Sequence, residues 1–345
     1  MSSSTYAIAG DREPSLQEEF ASSFANASLN LILLSTEQCN FRCSYCYEDF
    51  AIGRMAPDVV AGVKRLIDRR IDGLRYLSIS WFGGEPLLAR DIIEDISAHV
   101  VATARWPSEF SYHGDMTTNG SLLTASVAQR LSELGVRSFQ VSLDGPQAIH
   151  DNTRIRASGN GTFDQIWRNL VAVRDGKADV NILLRIHLTP ENVNVMPEFL
   201  TLIRETFLLD PRFKVLLKPI ERMGGLNNDN ISVIPHADHE RILATLRAVL
   251  GGENADCWFA GEKICYAARA NSIMIRADGR IGKCTVALSD SANTIGRLLP
   301  DGSLQIDNTA LKAWFQGWEK GDRSILGCPY ASIAHAQGAA TSPTP

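Results

Sequence analysis

The stretch from residue 29 to residue 46 reads LNLILLSTEQCNFRCSYC and joins an apolar run to a cysteine motif. Its first half is almost continuously apolar, which is typical of a strand in a parallel sheet with both faces covered. Its second half holds three cysteines in the spacing C-x3-C-x2-C. The sequence therefore predicts a buried strand that carries three thiols on the loop at its carboxyl end.

The same alternation of buried strand and amphipathic helix continues for most of the chain. The predicted strands are 29–35, 76–81, 110–116, 138–143, 181–188 and 214–219. The predicted helices are 58–70, 91–103, 125–134, 163–173, 196–206 and 236–249. Six such units predict an incomplete (β/α) barrel, in which functional groups lie on the loops after the strands.

Composition excludes several classes of protein. The chain has 345 residues, of which 45% are hydrophobic and 21% charged, as is usual for a soluble globular protein. The net charge of −5 argues against a basic nucleic-acid surface. No apolar run approaches the roughly 18 to 20 residues of a membrane span, and the first residues lack the pattern of a secretory signal. We therefore expect a cytoplasmic protein with no nucleic-acid or membrane partner.

Seven cysteines fall into two groups, at positions 39, 43 and 46 and at positions 257, 265, 284 and 328. An odd number cannot all pair as disulfides within one chain, and a cytosolic setting disfavours disulfides. Metal binding, catalysis and buried apolar packing therefore remain. Three thiolates on one short loop can hold three irons of a cubane cluster and leave the fourth iron open to a substrate or cofactor. The alternative is a zinc site in which another residue supplies the fourth ligand.

The pattern changes after Gly251. Residues 272–276 and 280–284, joined by a turn at 277–279, predict a β-hairpin, and a short helix is predicted at 309–316. This part is too small to form much hydrophobic core of its own. The sequence therefore indicates that a bound metal stabilises it. The predicted organisation is an N-terminal extension (1–28), a barrel (29–235), a C-terminal domain (236–333) and a disordered tail (334–345).

Four further segments follow the predicted strands in order. Gly83-Gly84-Glu85-Pro86 ends the second strand, Thr117-Thr118-Asn119-Gly120 ends the third, Ser142–Pro146 follows the fourth, and Arg185 lies on the fifth. Together with the cysteine motif, these segments resemble the radical SAM enzymes over roughly residues 30–220. The resemblance implies that Cys39, Cys43 and Cys46 hold a [4Fe–4S] cluster whose remaining iron chelates S-adenosylmethionine (SAM). Its reductive cleavage to a 5′-deoxyadenosyl radical would start the reaction.

The resemblance also implies which residues bind SAM. Tyr45 matches the aromatic position near the adenine, and the Gly-Gly-Glu-Pro segment matches the one that contacts the methionyl amino group. Asn119 matches a residue near the ribose, and Arg185 matches the arginine that pairs with the SAM carboxylate, a task suited to a planar guanidinium. The complete implied set is Tyr45, Gly83, Gly84, Glu85, Pro86, Thr118, Asn119, Ser142 and Arg185.

Strand alternation extends this set toward the substrate. If Asn119 points into the barrel, so do Asp115 and His113, and if Arg185 points in, so does His187. Asp115, His113 and His187 are therefore candidate catalytic residues. The alternative for each is a hydrogen-bonded structural group, since geometry is the first test of an acid or base.

The C-terminal cysteines resemble a second known pattern. Cys265 to Cys284 reads C-x13-G-x4-C through Gly279, like the opening of SPASM and twitch domains, which hold auxiliary iron–sulfur clusters. With Cys257 and Cys328 the resemblance implies one auxiliary [4Fe–4S] cluster, and no cysteine remains for a second. A zinc site on the same thiolates is the alternative. The expected fold is α/β, a partial (β/α)6 radical SAM barrel with a small C-terminal SPASM/twitch-like iron–sulfur domain.

Ser142–Pro146, followed by His150, Asp151 and Arg154, resembles the signature of the peptide- and protein-modifying branch. This implies hydrogen abstraction from a ribosomal precursor peptide, leading to a cross-link, an epimerisation or an oxidation. The alternatives are a dehydrogenase of a small alcohol or sugar, sulfatase-maturase-like protein oxidation, and a non-catalytic iron–sulfur or zinc scaffold. The expected partners are the peptide and a flavodoxin- or ferredoxin-like electron donor. Because few residues precede the first strand, we expect the barrel rim, the C-terminal domain or a separate peptide-recognition protein to bind the precursor.

Overall fold

The computed structural model describes residues 14–103, 109–225, 227–251 and 264–336. The strands are β1 (Ser28–Thr36), β2 (Phe41–Cys43), β3 (Tyr76–Gly83), β4 (Ser111–Thr118), β5 (Val136–Leu143), β6 (Arg154–Arg156), β7 (Asn181–Leu188), β8 (Phe213–Pro219), β9 (Ser272–Ile275), β10 (Arg280–Gly282), β11 (Gly296–Leu298) and β12 (Leu304–Ile306). The helices are α1 (Leu16–Ser23), α2 (Pro57–Arg70), α3 (Arg90–Ala102), α4 (Ala125–Glu133), α5 (Gln147–Thr153), α6 (Phe163–Asp175), α7 (Met196–Phe207), α8 (His236–Leu250), α9 (Asn308–Ala313), α10 (Gln316–Lys320), α11 (Arg323–Gly327) and α12 (Pro329–Ala336).

Within the described ranges, ten strands form one sheet in the order β12-β11-β10-β9-β1-β3-β4-β5-β7-β8. The six strands from β1 to β8 in that order pair in parallel, and helices connect them. The remaining strands, β2 and β6, form a separate two-stranded sheet. This order confirms the predicted α/β class and the partial (β/α)6 barrel.

The two faces of the parallel sheet differ in polarity. On β3, Leu77, Ile79 and Trp81 are fully buried in the large core between the sheet and the outer helices. Burial of each such side chain contributes about 1.5–3 kcal/mol. Ser78 and Ser80 alternate with them and face the inside of the barrel. The outer face therefore holds the fold together, whereas the inner face is available for polar chemistry.

The C-terminal strands extend the barrel sheet. β9 pairs in parallel with β1, and β10, β11 and β12 continue antiparallel. Ile273, Ile275 and Ile281 belong to the same hydrophobic core as Leu29 and Leu31. The predicted hairpin is therefore present, and it is joined to the first strand of the barrel by backbone hydrogen bonds.

One of the predicted helices is shorter than the sequence indicates. The helix predicted at 309–316 ends earlier, as α9, because the fully buried Trp314 caps it and donates its indole N–H to the carbonyl of Ala292 at 3.3 Å. α8 packs on α7, where Arg204 donates to the carbonyl of Val249 at 2.6 Å. None of the helices in the described residues is long and apolar enough to span a bilayer.

Candidate active site

The loop that carries Cys39, Cys43 and Cys46 leaves the carboxyl end of β1 and is held by the small sheet. Cys43 on β2 lies opposite Arg154 on β6, so this pairing joins the loop to the segment that follows β5. The backbone N–H of Cys46 donates to the carbonyl of Cys43 at 3.1 Å. The thiols are therefore presented by a braced turn, and each of the three is unpaired with any other cysteine.

The glycine pair at the end of β3 makes room for the chain that leads into this loop. Gly83 has a φ of +113°, and a Cβ there would overlap the carbonyl oxygen of Thr36. A Cβ on Gly84 would lie 2.5 Å from the carbonyl oxygen of Gln38. Larger residues would push this segment aside, so the glycines set the position of Cys39.

Glu85 is completely buried, and both of its carboxylate oxygens are occupied inside the protein. Oε1 accepts hydrogen bonds from the backbone N–H of Leu87 at 3.0 Å and the hydroxyl of Thr118 at 2.8 Å. Oε2 accepts one from the backbone N–H of Asn119 at 2.7 Å. Burial raises the pKa of Glu85, although these hydrogen bonds favour its charged form. Glu85 therefore connects the end of β3 to the end of β4. Pro86, the next residue, starts a buried turn.

Asn119 joins the end of β4 to the cysteine loop. Its side-chain amide donates to Oδ1 of Asn40 at 2.8 Å and lies 3.9 Å from the sulfur of Cys39. Asn40 in turn donates to the hydroxyl of Ser121 at 3.1 Å. A donor beside a sulfur favours the thiolate form that a metal requires. The structure thus places Asn119 beside the cysteine loop, while the contact of Asn119 with the ribose of SAM stays a prediction.

Tyr45 is the centre of a buried polar network. Its hydroxyl accepts a hydrogen bond from Nη1 of Arg154 at 2.7 Å and donates to Oδ2 of Asp144 at 2.8 Å. Nδ1 of His187 lies 3.0 Å from Oδ1 of Asp144 and 3.0 Å from the tyrosine oxygen. Four separate segments of the chain meet in this quartet. The sequence resemblance indicated Tyr45 and Arg154, and strand alternation indicated His187, but neither indicated that the three residues touch.

The buried groups of this quartet shift each other's pKa values. Burial opposes ionisation of Asp144, but the hydrogen bond from His187 and the charge of Arg154 hold its pKa well below the usual range. Burial lowers the pKa of His187 to about 4, against the opposing effect of Asp144. Near neutral pH, Asp144 is therefore a carboxylate and His187 is a neutral imidazole.

Arg185 and Ser142 lie side by side on the inner face of the sheet, where β7 pairs with β5. Nine side-chain polar atoms in the described residues are buried without a hydrogen-bond partner, and three of them belong to charged side chains: Nε of Arg185, Nε of Arg154 and Oε2 of Glu48. A buried donor left unpaired costs about 1–3 kcal/mol. The Nε of Arg185 therefore fits an anionic ligand inside the barrel, such as a carboxylate.

Asp115 and His113 also face the barrel interior, as strand alternation predicts. Oδ2 of Asp115 accepts a hydrogen bond from the hydroxyl of Ser80 at 2.8 Å, and His113 is in register with Ser78. Burial raises the pKa of Asp115 to about 6 and lowers the pKa of His113. The catalytic roles of Asp115 and His113 stay predictions, since no geometric feature identifies either residue as an acid or a base.

One contributor to the site was not indicated by the sequence analysis. A Cβ on Gly225, which has a φ of +87°, would lie 2.5 Å from the carbonyl oxygen of Cys46. Asn227 donates its side-chain amide to the carbonyl of Ser44 at 3.0 Å. The segment after β8 therefore closes over the cysteine loop. The adjacent Gly224-Gly225 pair is the signal that could have shown this close approach.

The C-terminal structure brings Cys265, Cys284 and Cys328 together, whereas Cys257 lies outside the described residues. The backbone N–H of Cys265 donates to the carbonyl of Leu326 at 2.9 Å, just before Cys328. Burial, with smaller contributions from the neighbouring thiols of Cys284 and Cys328, raises the pKa of Cys265 to about 11. The three thiols therefore lie close enough beside the hairpin to act on one another.

In the portions of the chain that the structure describes, no three His, Cys, Asp or Glu side chains converge on a point where one metal ion could bind. In a cubane cluster each cysteine binds a different iron, so its ligands need not converge on a single ion. Thiolate sulfur is the usual ligand of iron–sulfur clusters, so the donor chemistry of both groups of cysteines fits such a cluster.

The chain is similar in sequence to several known proteins. The sequence model of the Radical SAM superfamily matches residues 33–203. An AdoMet-dependent heme synthase from Nitratidesulfovibrio vulgaris is 27% identical over 60% of this chain and 52% of its own length. A cysteine-type anaerobic sulfatase-maturating enzyme from Clostridium perfringens is 24% identical, with 75% of each chain covered. The chain thus spans about half the length of the first of these relatives.

Solved structures show a similar fold. The anSMEcpe structure with bound AdoMet and Cp18Cys peptide has a TM-score of 0.61 and 19% identity, and the match covers 84% of this chain and 83% of that one. Streptococcus suis SuiB bound to precursor peptide SuiA has a TM-score of 0.56 and 17% identity, with 88% and 67% covered. At these identities the likeness concerns the fold alone.

Proposed function

Because this chain belongs to the radical SAM superfamily, we propose that it is an enzyme that abstracts hydrogen from a peptide. The superfamily uses SAM and a [4Fe–4S] cluster, which together supply a 5′-deoxyadenosyl radical when bound and reduced. The observation that carries the proposal is the braced loop of Cys39, Cys43 and Cys46, which opens onto a polar barrel interior. The unpaired Nε of Arg185 lies in that interior and suits the SAM carboxylate.

In this proposal the residues of the chain bind the cluster, orient SAM and shield the radical from water. Cys39, Cys43 and Cys46 would hold the cluster, while Gly83 and Gly84 set the position of the loop. Nearby, Pro86, Thr118 and Ser142 would shape the SAM pocket together with Tyr45, Glu85, Asn119 and Arg185. The apolar outer face and the closing segment after β8 would exclude water from the radical.

Replacing Arg185 with alanine is expected to weaken SAM binding about 10- to 100-fold, because a charge-assisted hydrogen bond to a carboxylate contributes about 1.5–3 kcal/mol. Iron content should stay unchanged, since Arg185 contacts no cysteine. Isothermal titration of anaerobic protein with SAM measures the affinity. Arg168→Ala, which removes an exposed arginine on the outer helix α6, is the control. An Arg185→Ala variant with the affinity of this control would contradict the assignment.

Support for a peptide substrate comes from fold and sequence likeness. The neighbours in fold include two structures with a bound peptide, Cp18Cys in one and SuiA in the other. The segment Ser142–Pro146 with Arg154 resembles the peptide-modifying branch, and Arg154 here braces the cysteine loop. We further propose that Cys265, Cys284 and Cys328, with Cys257, hold an auxiliary [4Fe–4S] cluster of the SPASM/twitch kind. The domain boundary at residue 235, the electron donor and a separate recognition protein stay predictions.

Turnover experiments test the substrate class. Each short peptide encoded beside this gene is incubated anaerobically with enzyme, SAM and dithionite, and the products are read by mass spectrometry and chiral amino-acid analysis. We expect one peptide to change mass or stereochemistry only when all components are present. The Cp18Cys peptide is a probe for the second candidate, sulfatase-maturase-like oxidation, which the alignment over 75% of this chain favours. Oxidation of a small alcohol or sugar, with no altered peptide, would contradict both.

A further inference from the structure

His187 has the geometry of an oriented base. It lies on the inner face of β7, two residues after Arg185, and is 7% exposed. Its Nδ1 is 3.0 Å from Oδ1 of Asp144, and its Nε2 makes no hydrogen bond to any residue that the structure describes. An ionised carboxylate can only accept a hydrogen bond, so the favourable arrangement puts the imidazole proton on Nδ1. That leaves the lone pair on Nε2.

The other members of the quartet maintain this arrangement. The hydroxyl of Tyr45 accepts a hydrogen bond from Arg154 and donates one to Asp144, which leaves Asp144 as the acceptor for Nδ1–H. Asn192 donates from its side chain to the backbone carbonyls of Asp144 and His187, at 2.8 and 2.9 Å. The two residues are therefore held at a constant separation. A carboxylate that binds Nδ1–H sets the tautomer and stabilises the imidazolium that forms when Nε2 is protonated.

We propose that Nε2 of His187 accepts the proton that the peptide substrate releases after hydrogen abstraction, and that Asp144 positions His187 for this step. The proposal rests on the proposed function. After a C–H hydrogen atom has been removed, the substrate radical must still lose one electron, and the auxiliary [4Fe–4S] cluster proposed for Cys265, Cys284 and Cys328 would be the oxidant that accepts it. The proton leaves from an O–H, S–H or ring C–H bond and forms an N–H bond on His187. The remaining electron pair completes a C=O, C=S or cross-link bond.

The basicity of His187 is sufficient for this step. A carbonyl compound or aromatic adduct that has lost an electron but kept its proton is a strong acid, so even a base with a pKa of about 4 removes the proton. Because burial lowers this pKa, the base form persists above about pH 4 and is lost only as the pH falls through that value. The titratable and charged groups around His187 are Tyr45, Asp144, His150, Arg154 and Arg185. Lys218, its neighbour in register on β8, is paired with Glu221.

The tautomer can be tested without a substrate. Long-range ¹H–¹⁵N NMR of the anaerobic, cluster-loaded protein with labelled histidine should show His187 protonated on Nδ1 alone between pH 6 and pH 9. His187→Gln assigns the signal. We expect Asp144→Asn to shift the population toward the Nε2-protonated tautomer. A His187 that carries its proton on Nε2, or on both nitrogens, in the unmutated protein would overturn the proposal.

The proton transfer is tested with the peptide identified above. His187→Gln is expected to lower modified-peptide formation about 100-fold, the lower range for a lost general base, while formation of 5′-deoxyadenosine falls less than about threefold. Imidazole added to His187→Ala should restore part of the product. Asp144→Asn should lower the ratio of product to 5′-deoxyadenosine without loss of iron. His99→Gln, which removes an imidazole bonded to Asp68 at 2.8 Å on the outer helices, is the matched control.

The possible outcomes separate the two proposals. If the unmutated enzyme alters no peptide, the proposed function fails and this step fails with it. If the unmutated enzyme is active and His187→Gln forms product at the rate of His99→Gln, only the role of His187 is overturned. The role is also overturned if His187→Gln loses SAM cleavage in parallel with product, which would indicate a SAM-binding residue. An epimerised product would contradict it too, since epimerisation releases no net proton.

Discussion

Replacing Cys39, Cys43 and Cys46 together with alanine is expected to abolish SAM cleavage and to remove half of the iron. With two [4Fe–4S] clusters the reconstituted protein should contain about eight irons per chain, and the variant about four. Alanine offers no metal ligand, and the loop supplies every cysteine near this end of the barrel in the described residues. Colorimetric iron analysis and chromatography of 5′-deoxyadenosine after reduction measure the two effects.

The reciprocal variant, with Cys265, Cys284 and Cys328 replaced by alanine, provides the comparison. It should also contain about four irons, yet its reduced cluster should still change its electron paramagnetic resonance spectrum when SAM is added. Stoichiometric zinc in freshly isolated protein, with iron near four, would show that the C-terminal thiols bind zinc. SAM cleavage by the first variant would contradict the assignment of the N-terminal loop.

Replacing Arg276 with methionine is expected to lower the free energy of unfolding by about 3–5 kcal/mol, because it leaves a buried carboxylate without its partner. Nε and Nη2 of Arg276 donate to the two carboxylate oxygens of Glu37, at 3.1 and 2.5 Å. Both side chains are less than a tenth exposed, at 7% and 2%. Nη1 also donates to the carbonyl of Leu288 at 2.6 Å. Thermal unfolding followed by circular dichroism under argon should show a Tm lower by roughly 4–7 °C.

A surface ion pair gives the matched control for this prediction. Arg241 and Asp238 are 2.6 Å apart but largely exposed, so Arg241→Ala should change the free energy of unfolding by less than about 1 kcal/mol. The double variant Glu37→Gln, Arg276→Met should recover part of the loss, since it removes the uncompensated charge. Equal effects of Arg276→Met and Arg241→Ala would indicate that the buried pair contributes little.

This pair also bears on the active site. Glu37 lies two residues before Cys39, and Arg276 follows β9 in the hairpin that leads to Cys284. The backbone N–H of Ala56 donates to the carbonyl of Ala277, which adds one further link across the same boundary. The pair therefore connects the two cysteine groups through one rigid contact.

Local sequence features were sufficient to predict the repeating part of the fold. The six parallel strands were predicted within a few residues because each is an apolar run buried beneath helices, and such a run is visible in the sequence itself. The same holds for helix ends: Thr124 accepts a hydrogen bond from the N–H of Val127 at 3.3 Å, and Gly135 follows α4 with a φ of +80°. The three-residue strands β2 and β6 were missed, since so short a strand carries no periodicity.

By itself the sequence determined the six-unit α/β barrel, the two groups of cysteines and, through resemblance, the chemistry that the first group supports. Only the tertiary structure decided which side chains meet. Tyr45, Asp144, Arg154 and His187 come from four segments and share one buried network, and Glu37 pairs with a residue 239 positions away. The physical reason is that burial and periodicity are properties of neighbouring residues. A polar contact depends instead on the register of distant strands, which the packing of the whole sheet determines.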